Sequence, residues 1–174
     1  MCNSPISTPP TSQKVPGREE GNNVGGDRGA PEFWVCLTVP SRVEAINPTV
    51  NKLKKILKAA CLERTQVFAI ETALREALAN AIVHGNRLNR AKSVRVGCGC
   101  SERGIHIVIA DEGDGFDPGA VESPLATRNL NSDHGRGILL IHSLMDDVRF
   151  EKGGREIHMC KNRVRKSESK GQHE

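Results

Sequence analysis

Residues 65–85 read TQVFAIETALREALANAIVHG, a run long enough and periodic enough to be one helix. Val67, Ile70, Leu74, Leu78 and Ala81 recur at helical spacing and form an apolar stripe, and Gly85-Asn86 supplies a stop. Almost opposite that stripe stand Glu76 and Asn80, separated by only about 40° around the helix axis. Their neighbours on this second face are Ala69, Ala73 and Val83, which a solvated surface does not normally carry. A small, mostly apolar surface holding one carboxylate and one amide has the character of a cleft wall.

Working outward, Glu32–Val39 (EFWVCLTV) has strand composition and ends at Pro40. Asn47-Pro48 reads as the start of a first helix, with Asn as cap and Pro in the first turn, and the pattern leaves open a helical turn before Pro48; Val50, Leu53, Ile56, Leu57 and Ala60 follow at helical spacing. Beyond the long helix come two strand-like runs, Ser93–Cys100 and Ile105–Ala110, joined at Glu102-Arg103-Gly104. A glycine-rich stretch spans Gly113–Gly135, and Ile138–Met145 reads as a third helix. Val148–Glu151 and Glu156–Cys160 flank Gly153-Gly154, a two-residue hairpin signal. The order β, α, α, β, β, loop, α, β, β predicts an α+β fold: a two-layer sandwich with helices on one face of a mixed, mostly antiparallel sheet.

Composition narrows the function. The chain has 174 residues, 37% hydrophobic and 26% charged, which suits one domain with tails. Four Phe, one Trp and no Tyr leave an aliphatic core and disfavour a stacking platform for single-stranded nucleic acid. No apolar run approaches the ~18 residues of a membrane span, and the N-terminus lacks secretory-signal character. The expectation is a cytoplasmic protein with no membrane contact. Its six cysteines should then be reduced thiols; Cys98 and Cys100 share one strand face, without a second pair for zinc. Residues 1–30, rich in Ser, Pro, Gly and Asn, read as a disordered arm; 31–162 is the folded unit; 163–174 is a basic, disordered tail. From Lys161 onward five Lys or Arg face two Glu, most of the formal charge of +4. A solubilising end accounts for this better than direct nucleic-acid binding.

Three motifs carry chemistry. The Asn80 amide oxygen is a hard ligand suited to Mg²⁺, and Glu76 one turn earlier is placed to take a proton from a nearby hydroxyl. By itself E-x3-N also describes a solvated Glu beside an incidental Asn. Asp111-Glu112-Gly113-Asp114-Gly115 follows a buried strand, where a carboxylate requires a partner such as the amino group of a purine. Gly113 and Gly115 permit tight turns and close backbone approach, although a plain strand-closing turn has the same composition. His134-Gly135-Arg136-Gly137 leads into the third helix, where unpaired N–H groups and a guanidinium suit phosphate. Jointly, in this order, they match the parts of a Mg-nucleotide. Neither the P-loop sequence nor the protein-kinase signature set is present.

The motifs resemble the N, G1 and G2 boxes of the GHKL (Bergerat-fold) ATPases. The stretches Glu71–Gly85 and Gly135–Asp146 are similar to those of the anti-sigma-factor serine/threonine kinase branch, the RsbW-like proteins. The resemblance covers residues 32–162. It implies an α/β sandwich binding ATP and Mg²⁺ under a lid at residues 116–134. Glu76 would be the catalytic base or orienter and Asn80 the metal ligand. Asp111 would receive adenine, Gly113 and Gly115 would shape the lid hinge, and Gly135, Arg136 and Gly137 would hold phosphates. Such proteins sequester a sigma factor, phosphorylate a STAS-domain antagonist and commonly form homodimers. Where the family often has Gly-Thr against adenine, this chain has Gly154-Arg155. That departure leaves room for an ATP-responsive binding protein that transfers no phosphate. A histidine-kinase catalytic domain would need a helical hairpin, for which no residues remain before Glu32, so that reading requires a partner chain to supply it.

Overall fold

The computed structural model describes residues 33–59, 62–116 and 133–163. The arm expected at 1–30, residues 117–132 of the expected lid, and the tail beyond 163 lie outside the described residues. Strand β1 (Phe33–Pro40) is followed by a 3-10 turn at Val43–Ala45 that runs into helix α1 (Ile46–Ala59). The helix therefore begins before the position expected from Asn47-Pro48. Pro48 still falls in the first turn, where its missing N–H leaves no bond unmade. Asn47 is inside the helix, not its cap, and its Oδ1 accepts a hydrogen bond from Arg75 of the next helix. The Thr49 hydroxyl bonds back to the carbonyl of Ala45 at 2.7 Å, which helps join the turn to the helix.

Helix α2 (Arg64–Ala79) opens on a capping box: the Glu63 N–H donates to Gln66 Oε1 at 3.3 Å. Past Ala79 the winding loosens to a π-helical turn, Asn80–Gly85, in which the Asn86 N–H reaches back to Ala81 O at 2.8 Å. The sequence pattern gives no sign of this widening. It turns the last side chains of the helix away from the register that a continuous α-helix would impose.

The sheet comprises β1, β2 (Ser93–Ser101), β3 (Gly104–Ala110), β4 (Asp147–Glu151) and β5 (Glu156–Asn162), in the order β1-β2-β3-β5-β4. Each of the four described pairings is antiparallel, the limiting case of the mostly antiparallel sheet expected. Helix α3 (Asp133–Leu144) packs with α1 and α2 on one face. Period-two alternation sends Val94, Val96 and Cys98 of β2, Ile105, Ile107 and Ile109 of β3, and Ile157 and Met159 of β5 into that interface. There they meet Leu53 and Leu57 of α1 and Ile70, Leu74 and Leu78 of α2, all fully buried. Burial, reinforced by the neighbouring Cys100, pushes the Cys98 thiol up to about 12, so it stays protonated and packs as a small apolar side chain.

Two local expectations change. The β4–β5 connection is a four-residue turn, 152–155, in which Lys152, Gly153 and Gly154 all have positive φ (52°, 66° and 79°). Three successive left-handed residues need more chain than a two-residue loop supplies. Helix α3 also starts at Asp133, before Ile138, so Gly135, Arg136 and Gly137 lie within it. Each glycine there costs roughly 1 kcal/mol of helix propensity. At Gly137 a close contact with α2, described below, explains why no side chain is present.

The buried Asn86 ties these pieces together: its Nδ2 donates to Ser93 O at 2.9 Å, and its Oδ1 accepts the Glu112 N–H at 2.8 Å. It thus links the end of the π-turn to the start of β2 and to the loop after β3. Asn86→Ala would strand both backbone groups and should destabilise the fold by about 2 kcal/mol. Urea unfolding checks this; an unchanged midpoint would show that the three segments hold together without it.

Candidate functional site

Small side chains on the second face of α2 let α3 come close. A Cβ built on Gly137 would lie 2.9 Å from Glu76 Oε2 and 3.5 and 3.6 Å from Asn80 Nδ2 and Oδ1. Glu76, Asn80 and the first turns of α3 therefore meet. Glu76 and Asn80 are both half-buried. Arg136, next to Gly137, is exposed, and Gly135 belongs to the same opening turn of α3.

Asp111 follows directly on β3, and its backbone N–H donates to Arg155 O at 3.0 Å across the sheet. Its Oδ1 accepts the Gly113 N–H at 2.7 Å, an Asx-type closure of the strand end. The carboxylate rests against bare backbone: a Cβ at Gly85 would stand 2.5 Å from both its Cγ and Oδ2. Gly113 serves packing of the same kind, since its Cβ would come within 2.1 Å of the Gly85 carbonyl oxygen. Gly115 alone of this pair adopts positive φ, +83°, close against the Gly153 carbonyl. Burial raises the Asp111 carboxyl above the ordinary aspartate value, and the Gly113 hydrogen bond and the charges of Arg155 and Lys92 only partly offset it. A cleft carboxylate kept uncomfortable in the free protein is poised for a donor arriving with a ligand.

Between these elements lies a cavity of about 530 Å³, large enough for a nucleotide-sized molecule. Asn80 and Asp111 both line it, and Ile109 and Ile157, paired across β3 and β5, lie behind them. Gly115 and Arg155 also contribute, whereas Glu76 and Gly137 stand one step beyond Asn80. Arg155 occupies the wall where the departure from the family pattern fell. Its Nε donates to Lys152 O at 3.0 Å, and its charge acts on Asp111.

Several lining groups were not foreseen. Phe116 and Phe150 meet edge-to-face with centroids 5.2 Å apart, closing one side of the cavity with two of the chain's four Phe. Aromatic scarcity was a usable signal, because a rare ring outside the main core stands out. His84 lines the cavity through the π-turn, whose presence no residue pattern announces.

A family model described as "Histidine kinase-like ATPase domain" matches residues 39–161, and the chain belongs to this family of ATP-binding domains. Within it, the chain is similar to the serine-protein kinase RsbW of Bacillus licheniformis, 33% identical over 124 residues (68% of this chain and 78% of that protein). It is likewise similar to RsbW of Oceanobacillus iheyensis, 27% identical over 126 residues (67% and 78%). The anti-sigma F factor of Priestia megaterium is 28% identical over 123 residues (69% and 74%). Among solved structures, part of a chain comprising the RsbU and RsbW domains of a Mycobacterium tuberculosis protein shares the fold, with TM-score 0.50 and 13% identity. That match covers 77% of this chain, which spans one third of the length of the larger one. Among the described residues, no helix is long and apolar enough to cross a membrane.

The raised Asp111 carboxyl has a consequence for stability. A carboxyl raised by folding contributes stability below its unfolded value and loses it as pH rises through the folded value. At neutral pH the ionised, half-buried Asp111 is therefore a liability to the nucleotide-free protein. Asp111→Asn keeps an oxygen for the Gly113 N–H and removes the charge. The variant should melt above wild type at neutral pH, with the gap closing on acidification. Equal melting at every pH would mean that burial imposes no net cost on this carboxylate.

Proposed function

We propose that the protein is an ATP-dependent serine/threonine protein kinase acting as an anti-sigma regulatory factor, which sequesters a sigma factor and phosphorylates a STAS-domain antagonist. The observation that carries this reading is the meeting of Glu76, Asn80 and Gly137 beside a cavity that Asp111 also lines. In this reading adenine lies toward Asp111, whose carboxylate accepts its amino hydrogens, between the β3 end and the β4–β5 turn. The triphosphate runs toward Asn80 and the opening of α3. At that opening Gly135 supplies a first-turn N–H, Arg136 a guanidinium, and Gly137 the bare backbone that lets α3 close on Glu76 and Asn80, with the helix dipole aimed at the phosphate oxygens. The hydroxyl of the antagonist's serine or threonine approaches beside Glu76, which orients it and takes its proton.

Mg²⁺ fits the donors present, because the cavity-lining Asn80 amide oxygen is a hard ligand and phosphate oxygens and water complete such a sphere. When bound, it neutralises charge on the phosphoryl oxygens. With chemistry of this kind, positioning and charge compensation are the protein's whole task, so a sparse set of side chains suffices. The names of the relatives support the sigma-factor partner and the kinase activity. Homodimerisation and a cytoplasmic setting belong to the same reading.

Glu76→Gln should reduce transfer from labelled ATP to a STAS-domain partner by at least about 100-fold while leaving ATP binding intact. Equal transfer by both proteins would remove Glu76 from the chemistry. Arg155 favours a second reading, in which ATP only tunes partner affinity. ATP-dependent partner binding without transfer by the wild type, across candidate antagonists, would select it. Asp111→Asn should weaken ATP by about 1–3 kcal/mol in a calorimetric titration, and an unchanged affinity would take Asp111 out of the adenine site.

A further inference from the structure

The sheet face turned away from the helices carries a separate group of ligating side chains. Alternation along β5 sends Ile157 and Met159 into the core and places Glu156 and His158 on the opposite face. Glu156 is wholly buried. Its Oε1 lies 2.8 Å from Nε2 of His158, and its other oxygen accepts the Lys152 ammonium at 2.7 Å. Glu151, the register partner of Glu156 across the hairpin, brings its Oε2 to 3.4 Å from the same His158 nitrogen. One donor atom from each of Glu151, Glu156 and His158 lies within 4.8 Å of the other two.

This spacing suits one ion. Tetrahedral zinc at about 2.0–2.2 Å from nitrogen and oxygen ligands separates those ligands by roughly 3.3–3.5 Å. The 3.4 Å between Glu151 and His158 matches that figure, and the 2.8 Å hydrogen bond between Glu156 and His158 opens by roughly half an ångström when an ion takes the place of the shared proton. The charge also matches, because two carboxylates and a neutral imidazole sum to that of a divalent cation's counterpart. Lys152 engages the oxygen of Glu156 that points away from His158, and its side chain is 39% exposed, so it need not enter the triangle. All three donors sit on paired strands and need little ordering to bind.

We propose that Glu151, Glu156 and His158 form a zinc site at the foot of the β4–β5 hairpin, with water in the remaining position. It lies on the sheet face opposite the nucleotide cavity and stands independently of the kinase reading. An ion there would clamp the two strands whose connecting turn holds Gly154 and Arg155 against that cavity.

Chelator-treated full-length protein, free of nucleotide, is titrated with Co²⁺ as the spectroscopic probe and then with Zn²⁺. One saturable equivalent with visible d–d absorption and no thiolate charge-transfer band, displaced by Zn²⁺, is the expected result. Glu151→Gln and His158→Ala should each weaken binding tenfold or more while circular dichroism stays unchanged. The Glu151 side chain is 43% exposed, so its variant is expected to fold even if changes at the buried Glu156 do not. Absence of saturable uptake, a thiolate band pointing to the cysteines, or wild-type affinity in both variants would overturn the assignment.

Discussion

The site depends on one steric constraint: a half-buried carboxylate must rest against backbone that carries no side chain. Asp111, Gly85 and Gly113 approach so closely that a methyl group on either glycine would sit inside the van der Waals envelope of its neighbours. This contact fixes where the end of α2 lies relative to the end of β3. The π-helical turn then follows as the local winding that brings Gly85 to Asp111, and Asn86 completes the junction with hydrogen bonds to the start of β2 and to the loop after β3. Once these ends are locked, Asn80 and Asp111 cannot avoid sharing one hollow.

Helix α2 reconciles two demands with one sequence. Its Ile70, Leu74 and Leu78 face bonds the helical layer to the sheet through apolar burial. Its other face carries small residues so that α3 can approach Glu76 and Asn80 through Gly137. Strong polar groups thus sit on a helix whose stability comes from elsewhere. Such a division lets a carboxylate and an amide stay half-buried without the helix depending on them for stability. The charge of Asp111 reflects the same trade, because burial opposes its ionisation in the free protein.

Much of this was legible in the residues, for identifiable reasons. Strands β2 and β3 and the face of α2 declare themselves through period, and Glu76, Asn80, Asp111 and Gly137 through spacing in motifs. What stayed hidden depends on contacts far apart in the chain. The early start of α1 relies on a 3-10 turn and on Arg75 holding Asn47, and the early start of α3 relies on packing that favours glycine inside a helix. Glycines usually mark helix ends, so Gly135 and Gly137 pointed to the wrong boundary. Phe116 and Phe150 lie 34 residues apart by numbering and meet only because the loop after β3 is pinned to the β4–β5 turn by the Phe116 N–H at 2.9 Å from Gly153 O. The role of Arg155 was visible as a departure, but its position in the cavity wall was not.

In the proposed reading, adenine nucleotide occupies the hollow between the end of α2, the end of β3 and the opening of α3. Backbone amide shifts followed by NMR during titration with a non-hydrolysable ATP analogue and Mg²⁺ address it directly. Saturable changes concentrated at Asn80–Gly85, Asp111–Phe116 and Arg136–Ile138 are the expected result. Saturation accompanied by changes confined to other surfaces, such as the β1–β2 edge, would contradict it.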